Sequence, residues 1–289
     1  MCYNTDNSNE RMINMKKWTV ILLTVILLFS FAACSKADEP NPYRVKTRTS
    51  ETYENGRITY YRYSQYFYDE NGYLSHQKDY SDNTPQFTHI YERDAYGNLL
   101  TTITLDNNNQ ETRESHILTL DEDHRVIRDE SSYGAITEYA YDENGNQTML
   151  NINRVGALDG QDLVSYLNMT YDKNGNLIRQ DQHWEPTGEG GYVLYDYKNQ
   201  KLVKEISYNL DDTLDGYAEY SYDDSGLVQT EILYDAESAP VRKTIRTFDS
   251  YGNIEEKSIY ELREYLPGGG DSVVDSRITY VYESINETE

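Results

Sequence analysis

A short motif returns along almost the whole chain and constrains its fold more than any other feature. It reads Tyr171-Asp172-Lys173-Asn174-Gly175-Asn176-Leu177, with near-copies at Tyr68-Asp69-Glu70-Asn71-Gly72, Tyr141-Asp142-Glu143-Asn144-Gly145-Asn146, Tyr222-Asp223-Asp224-Ser225-Gly226 and Phe248-Asp249-Ser250-Tyr251-Gly252-Asn253-Ile254. A looser copy is Arg93-Asp94-Ala95-Tyr96-Gly97-Asn98-Leu99. Each copy reads as a hairpin turn. Asp opens a type I turn with its side chain on the backbone, two polar residues cross, and Gly takes a left-handed position that a side chain would resist. Gly72, Gly97, Gly145, Gly175, Gly226 and Gly252 are therefore the structural turn residues.

Degraded copies place Gly56, His124 and Gln200 at the glycine position, and the steps from Gly56 onward are then 16, 25, 27, 21, 30, 25, 26 and 26 residues. A period near 25 is an internal repeat, and it sets the architecture before any propensity argument. Each full step has room for two strands. The strand running into a turn alternates clearly, as in Thr137-Glu138-Tyr139-Ala140-Tyr141, Ala218-Glu219-Tyr220-Ser221-Tyr222 and Ile278-Thr279-Tyr280-Val281-Tyr282. Period two means strand and puts both Tyr on one sheet face. The expected fold is all-β, a repetitive antiparallel meander or curved sheet of about 18 strands, counting one strand in the 16-residue step and two elsewhere. So large a sheet must twist and curl, and one Tyr-rich face stays wet unless it curves into a trough or closes.

All the glycine turns are expected along one edge. The other edge is expected to hold dissimilar loops: 81–85, 106–110, 156–162, 185–191, 210–216, 235–240 and 267–272. Loops carry function more often than the scaffold, so a partner site is sought on that variable edge.

The repeated Tyr-Asp-x-x-Gly-Asn-Leu resembles the YD repeat of RHS-type proteins, over roughly residues 43–282. The resemblance implies a β-strip of the kind that spirals into shells, although this chain has only about nine turns and no following toxin or self-cleaving core segment. Small lipoproteins of this type resemble a Bacteroidota theme.

The N-terminus is set apart from the fold. Met15-Lys16-Lys17 precedes an apolar run from Trp18 to Phe31 that is too short for the roughly 20 residues of a membrane span, and Phe31-Ala32-Ala33-Cys34 resembles a bacterial lipobox. Residues 1–33 read as a signal peptide, with 1–14 upstream of a better start at Met15. Residues 34–42 read as a lipidated tether and 43–289 as the β domain, with lipid attachment at Cys34. Behind Cys34, Asp38-Glu39 resembles a surface-export signal and equally fits a plain acidic tether. The expected address is the cell outer membrane, lipid-anchored, facing either the surface or the periplasm. The only other cysteine, Cys2, lies upstream, so no disulfide is expected in the mature chain.

The formal net charge is −24; residues 1–33 carry three basic against two acidic side chains, which leaves the mature chain at −25. Such a surface repels nucleic acid and anionic head groups. The partners expected are the membrane, through Cys34, and a protein or glycan, with no nucleic acid.

No catalytic signature is present. His76, His89, His116, His124 and His183 are scattered, none at metal spacing, and no nucleophile elbow or phosphate loop occurs. The Asp-x-Asn-Gly-Asn runs at 142–146 and 172–176 hold oxygens at alternate positions as calcium loops do, but lack a closing Glu, and the turn already accounts for them. No enzyme, cofactor or metal is expected. The 30 Tyr fit a half-buried sheet face, ring packed and hydroxyl wet, and Trp184 is the candidate exposed platform for binding. Asp212-Thr213-Leu214 and Asp271-Ser272-Val273 resemble Bacteroidota O-glycosylation acceptors at Thr213 and Ser272. A membrane-spanning barrel is not expected, because Arg179, Gln180, Lys204, Glu205 and Glu256 interrupt any continuous apolar face. The function expected is a non-catalytic scaffold that binds a partner. The alternatives are a purely structural or shielding module related to RHS shells, or a glycan-processing enzyme using a carboxylate pair.

Gly175→Val forces a β-branched residue to positive φ and is expected to destabilise the fold by ~1–3 kcal/mol in urea melts. Unchanged stability would show that the turn is not left-handed at Gly175.

Overall fold

The structure, a computed structural model, describes residues 43–54, 56–158, 161–185, 187–262 and 275–285. Its first nine strands are β1 (Tyr43–Glu54), β2 (Arg57–Tyr68), β3 (Leu74–Ser81), β4 (Thr84–Arg93), β5 (Leu99–Asp106), β6 (Glu111–Leu120), β7 (Val126–Ser131), β8 (Ala135–Tyr141) and β9 (Gln147–Leu158). The remaining nine are β10 (Gln161–Tyr171), β11 (Leu177–Glu185), β12 (Glu189–Lys198), β13 (Lys201–Asn209), β14 (Leu214–Tyr222), β15 (Val228–Asp235), β16 (Pro240–Phe248), β17 (Ile254–Glu261) and β18 (Ser276–Ser284). Every strand pairs antiparallel with the next. β1 pairs with both β2 and β18, from Tyr43↔Ser284 to Thr52↔Ser276, so the meander closes into an 18-stranded barrel. Closure removes both sheet edges, which would otherwise template aggregation.

The repeated turn explains its own sequence. The Asp172 N–H donates to the Asn176 carbonyl at 2.8 Å, and the Gly175 N–H donates to the Asp172 carbonyl at 3.0 Å. Asp172 Oδ1 accepts the Asn174 and Asn176 N–H groups, while Asn176 Nδ2 donates to Asp172 Oδ2 at 2.9 Å. The same amide-to-carboxylate bond joins Asn98 to Asp94, Asn146 to Asp142 and Asn253 to Asp249, which accounts for Asn after Gly. All six motif glycines lie at φ between 82 and 90°, and His124 and Gln200 at 62° take the same conformation. Bonds from these donors hold the Asp94, Asp142 and Asp172 carboxyls below the ordinary value, against the opposing effect of partial desolvation.

Each such turn ends in a β-bulge, for example between the pairs Tyr171↔Leu177 and Thr170↔Arg179. A bulge leaves a carbonyl out of the ladder. The pre-turn Tyr of the adjacent strand supplies its donor. The hydroxyls of Tyr141, Tyr171, Tyr197, Tyr222 and Tyr282 donate to the carbonyls of Val126, Gln147, Leu177, Leu202 and Ile254, at 2.5–3.0 Å. Tyr68 does the same to Val45 at 2.8 Å, beside a bulge at the seam. The expectation of wet hydroxyls is thus corrected for these six, because the bulge creates a buried acceptor that must be satisfied.

Cross-strand partners separate the two faces of the wall. One face carries Leu167, Met169, Gln180, Gln182, Val193, Tyr195, Glu205, Ala218, Glu231, Leu233 and Thr244, all at most 8% exposed; this is the lumen side. The Tyr pairs two residues apart (Tyr66 and Tyr68, Tyr139 and Tyr141, Tyr195 and Tyr197, Tyr220 and Tyr222, Tyr280 and Tyr282) point the same way. Burial pushes Tyr195 and Tyr197 far above the usual phenol value and Tyr282 up to about 12. The outer face carries ion pairs around the ring: Arg113–Glu92, Arg128–Glu138, Arg179–Asp181, Lys204–Glu219 and Arg277–Glu256.

Two expectations about the rims change. Gly56 is not on the rim of the other glycine turns: only β2 separates it from Gly72, and a single strand carries the chain to the opposite end. The loops of the other rim are also tighter and more alike than their sequences. β12 begins at Glu189, and Asn109, Asp212 and Ser238 take positive φ in turns closed by the same two backbone bonds as the motif turns. Asp106 even caps its loop as the motif Asp does, accepting the Asn108 and Gln110 N–H groups at 2.8 Å.

Tyr171→Phe removes the donor to the Gln147 carbonyl and leaves the ring in place. A loss of ~0.5–1.5 kcal/mol is expected in urea melts, and likewise for Tyr222→Phe. No loss in either variant would mean that the hydroxyls are dispensable to the bulges.

Candidate functional site

The six motif glycines and both chain ends of the barrel lie on one rim, where the turns repeat the same backbone hydrogen bonds. Thr213 lies exposed at the tip of the β13–β14 loop on the other rim. Its hydroxyl donates to Asp211 Oδ1 at 2.6 Å and accepts from Asn209 Nδ2 at 3.0 Å. Trp184 is not an exposed platform. It is half-buried, pairs with Ser165 and Glu189, and belongs to the lumen-facing row near the loop rim. Cys34 and Ser272 lie outside the described residues.

A different group of residues comes together on the outer face beside that loop rim. Tyr166 of β10 pairs with His183 of β11, and their rings meet with centroids 5.1 Å apart. Asp181 pairs across to Tyr192 of β12, which in turn pairs and stacks with Tyr208 of β13 at 5.0 Å. Arg179 grips Asp181 through Nε at 3.0 and 2.9 Å and Nη2 at 2.6 Å, and lays its guanidinium 4.1 Å over the Tyr192 ring. The Tyr192 hydroxyl donates to Asp212 Oδ1 at 2.9 Å, and that bond raises the Tyr192 pKa. Tyr166, Arg179, Asp181, His183, Tyr192 and Asp212 line, with Leu210, a pocket of about 300 Å³.

The pocket exists because β12 has no side chain where the row needs one. His183 pairs with Gly190, and a Cβ on Gly190 would stand 2.4 Å from the Gln182 carbonyl oxygen. A Cβ on Gly191 would stand 2.1 Å from the Tyr208 carbonyl oxygen. Gly190 and Gly191, expected in the 185–191 loop, lie inside β12; two glycines inside a strand mark close backbone approach, the signal these residues carry in the sequence.

The remaining candidates for chemistry are already engaged. His76 stacks on Phe67, His124 on Tyr96, and His89 and His116 contact Asp79 and Asp129. Among the described residues, no group of three metal-ligating side chains converges. Glu205 and Glu231 flank Tyr220 on the lumen side, but both are buried: Tyr220 bonds Glu205, and Arg246 pairs with Glu231 at 2.6 Å. These two carboxylates act in a packed polar network.

No family model and no curated protein matches the chain. Among solved structures it is similar to a porin-like protein from Bacteroides uniformis, at 11% identity over 83% of this chain and 98% of that one, with a TM-score of 0.47. A porin-like protein from Bacteroides vulgatus matches at 13% identity over the same shares, with a TM-score of 0.29. The Photorhabdus luminescens Tc holotoxin pore matches at 10% identity over 74% of this chain and 14% of that one, with a TM-score of 0.36. At such identities and TM-scores, function rests on this chain's own residues.

Burial pushes the Glu205 carboxyl up to about 7, with Glu231 adding to the rise and the Tyr220 bond opposing it. The unfolded chain binds fewer protons at this site between about pH 4.5 and 7, so stability falls as pH rises through that window and stays low above it. Glu205→Gln is expected to remove that loss, on the order of 3 kcal/mol between pH 4.5 and 8. Urea melts across this range with the same pH slope in both proteins would rule Glu205 out as its source.

Proposed function

We propose that this chain is a non-catalytic barrel of the cell envelope, held by lipid on Cys34, that presents its loop rim to a partner. The observation that carries the reading is the polarity of the barrel. The chain enters at Tyr43, nine residues after Cys34, and that entry lies on the turn rim beside Ser284. Nine residues reach at most about 30 Å. We take the turn rim, where the tether joins, as the anchored end, and the loop rim, with the outer pocket and Thr213, as the end presented to a partner. Thr213 is proposed as an O-glycosylation acceptor on that basis, and Ser272, outside the described residues, on its sequence pattern alone.

The shielding alternative gains from closure and from the inward Tyr. It loses more from the lumen, because β10 to β16 fill their inward face with their own side chains and leave Gln180 and Val193 at 1% exposure. A shell for cargo needs free inner surface. A membrane-spanning wall is disfavoured by the ion pairs of the outer face, since each charge facing lipid costs ~2–4 kcal/mol at the bilayer midplane.

Two experiments test the reading. Cys34→Ser is expected to move the protein from the membrane fraction to the soluble fraction; retention would overturn the anchor. In pull-downs from envelope extracts, replacing the turns at 209–213 and 235–239 with the sequence of 172–176 is expected to abolish partner capture. The graft preserves turn geometry, so capture that survives it would place the partner site elsewhere.

A further inference from the structure

We infer that the outer pocket at the loop rim is a slot for one ring of an uncharged glycan, gripped between His183 and Leu210. The inference rests on the loop-rim binding proposed above and names its ligand class.

The slot is a missing member of a cross-strand row. That row runs from Tyr166 through His183 to Gly190, and Gly191↔Asn209 places Leu210 next along it. Strands β11 and β13 are two strand spacings apart, about 9.6 Å. A ring in contact with both walls at about 3.5–4.0 Å needs 7–8 Å, so a single ring fits, with room for a saturated chair. A side chain at position 190 cannot fill the gap, since the Gln182 carbonyl forbids a Cβ there. Leu210 is 57% exposed at the edge, an apolar wall with one side open. A pocket of about 300 Å³ is at the small end of ligand sites and suits one ring.

The polar rim decides the class. Asp181 and Asp212 present acceptors and Arg179 presents donors, the complement of a ring bearing several hydroxyls. Arg179 and Asp181 neutralise each other, Asp212 leaves one negative charge, and the protein carries −24, which together disfavour an anionic sugar. A cation is disfavoured too, because the Tyr192 face that would attract one already carries Arg179. What remains is a neutral ring with an apolar face for His183 and Leu210 and hydroxyls for the carboxylates.

The test is saturation-transfer NMR on the full-length protein in a zwitterionic detergent. The probes are the methyl glycosides of glucose, galactose, mannose and N-acetylglucosamine, with glucuronate and arginine amide as charged probes. Transfer to at least one neutral glycoside is expected, and Leu210→Trp, which fills the slot from outside the ladder, should reduce it at least tenfold with an unchanged melting temperature. His183→Ala removes the opposite wall without filling the gap and should give a similar loss, while Glu70→Gln on the far rim should give none. Absence of transfer to all four glycosides, transfer that survives Leu210→Trp, or preference for either charged probe would overturn the slot. Envelope-partner capture retained by Leu210→Trp together with any of those results would overturn the slot alone and leave loop-rim binding standing.

Discussion

The bond from a pre-turn Tyr hydroxyl to a bulge carbonyl is the interaction on which the rest of the barrel depends. The turn that brings the chain back needs one residue with positive φ, and its geometry forces an extra residue into the returning strand. That extra residue orphans a carbonyl on the lumen side of the wall. A side chain long enough to reach across one strand, and apolar enough to be buried on the way, has to satisfy it. Tyr meets both requirements, which is why turn and Tyr recur together: the hydroxyl of Tyr197 reaches Leu177 and that of Tyr222 reaches Leu202. Six of the nine hairpins are thereby tied to a neighbouring strand by something beyond the ladder, while Arg93, Leu120 and Phe248 stand at the pre-turn position of the other three.

The two faces of the wall then take different chemistry. The lumen collects phenols and a few carboxylates held by partners, such as Glu205 with Tyr220 and Glu231 with Arg246. The outside collects charge pairs and stacked rings, including Tyr217 on Tyr234 at 4.5 Å with Lys204 3.8 Å above Tyr217. The Glu205 and Glu231 carboxylates are buried and engaged with protein partners, and rings stacked on each other offer few open faces. The outer face is therefore selective by omission. The pocket at the loop rim lies where a glycine interrupts the stacking.

Much of this was legible in the residues. Asp, Gly and the following Asn gave the turn, the period gave the number of strands, and the Tyr alternation gave one shared face. Closure was not legible, because the pairing of β1 with β18 joins residues more than 220 positions apart and neither strand carries a mark of its partner. The rim of Gly56 was misread because a turn residue looks alike at either end, and only strand count tells the ends apart. Trp184 stands beside the 185–191 loop, which suggested exposure. Its parity in β11 turns it toward the lumen, and its neighbour His183 faces out instead. The site residues Tyr166 and Tyr192 sat among 30 Tyr with nothing local to distinguish them.

The seam between β18 and β1 repeats the geometry of every other motif hairpin. Tyr282 pairs with Val45, a bulge follows at Val45/Thr47, and the Val45 carbonyl receives the Tyr68 hydroxyl as Leu177 receives that of Tyr197. The barrel is thus a ring of nine hairpins that share one register and bulge, six of them with the Tyr bond, in which the ninth turn is simply open and Tyr43 and Ser284 stand where its loop would be. Such a ring has no intrinsic first strand. Joining the ends through Asp-Glu-Asn-Gly-Asn and cutting any other motif turn gives a circular permutant with the same ladder. Copies can likewise be gained or lost only as whole hairpins, which changes the girth of the barrel while both termini stay on one rim.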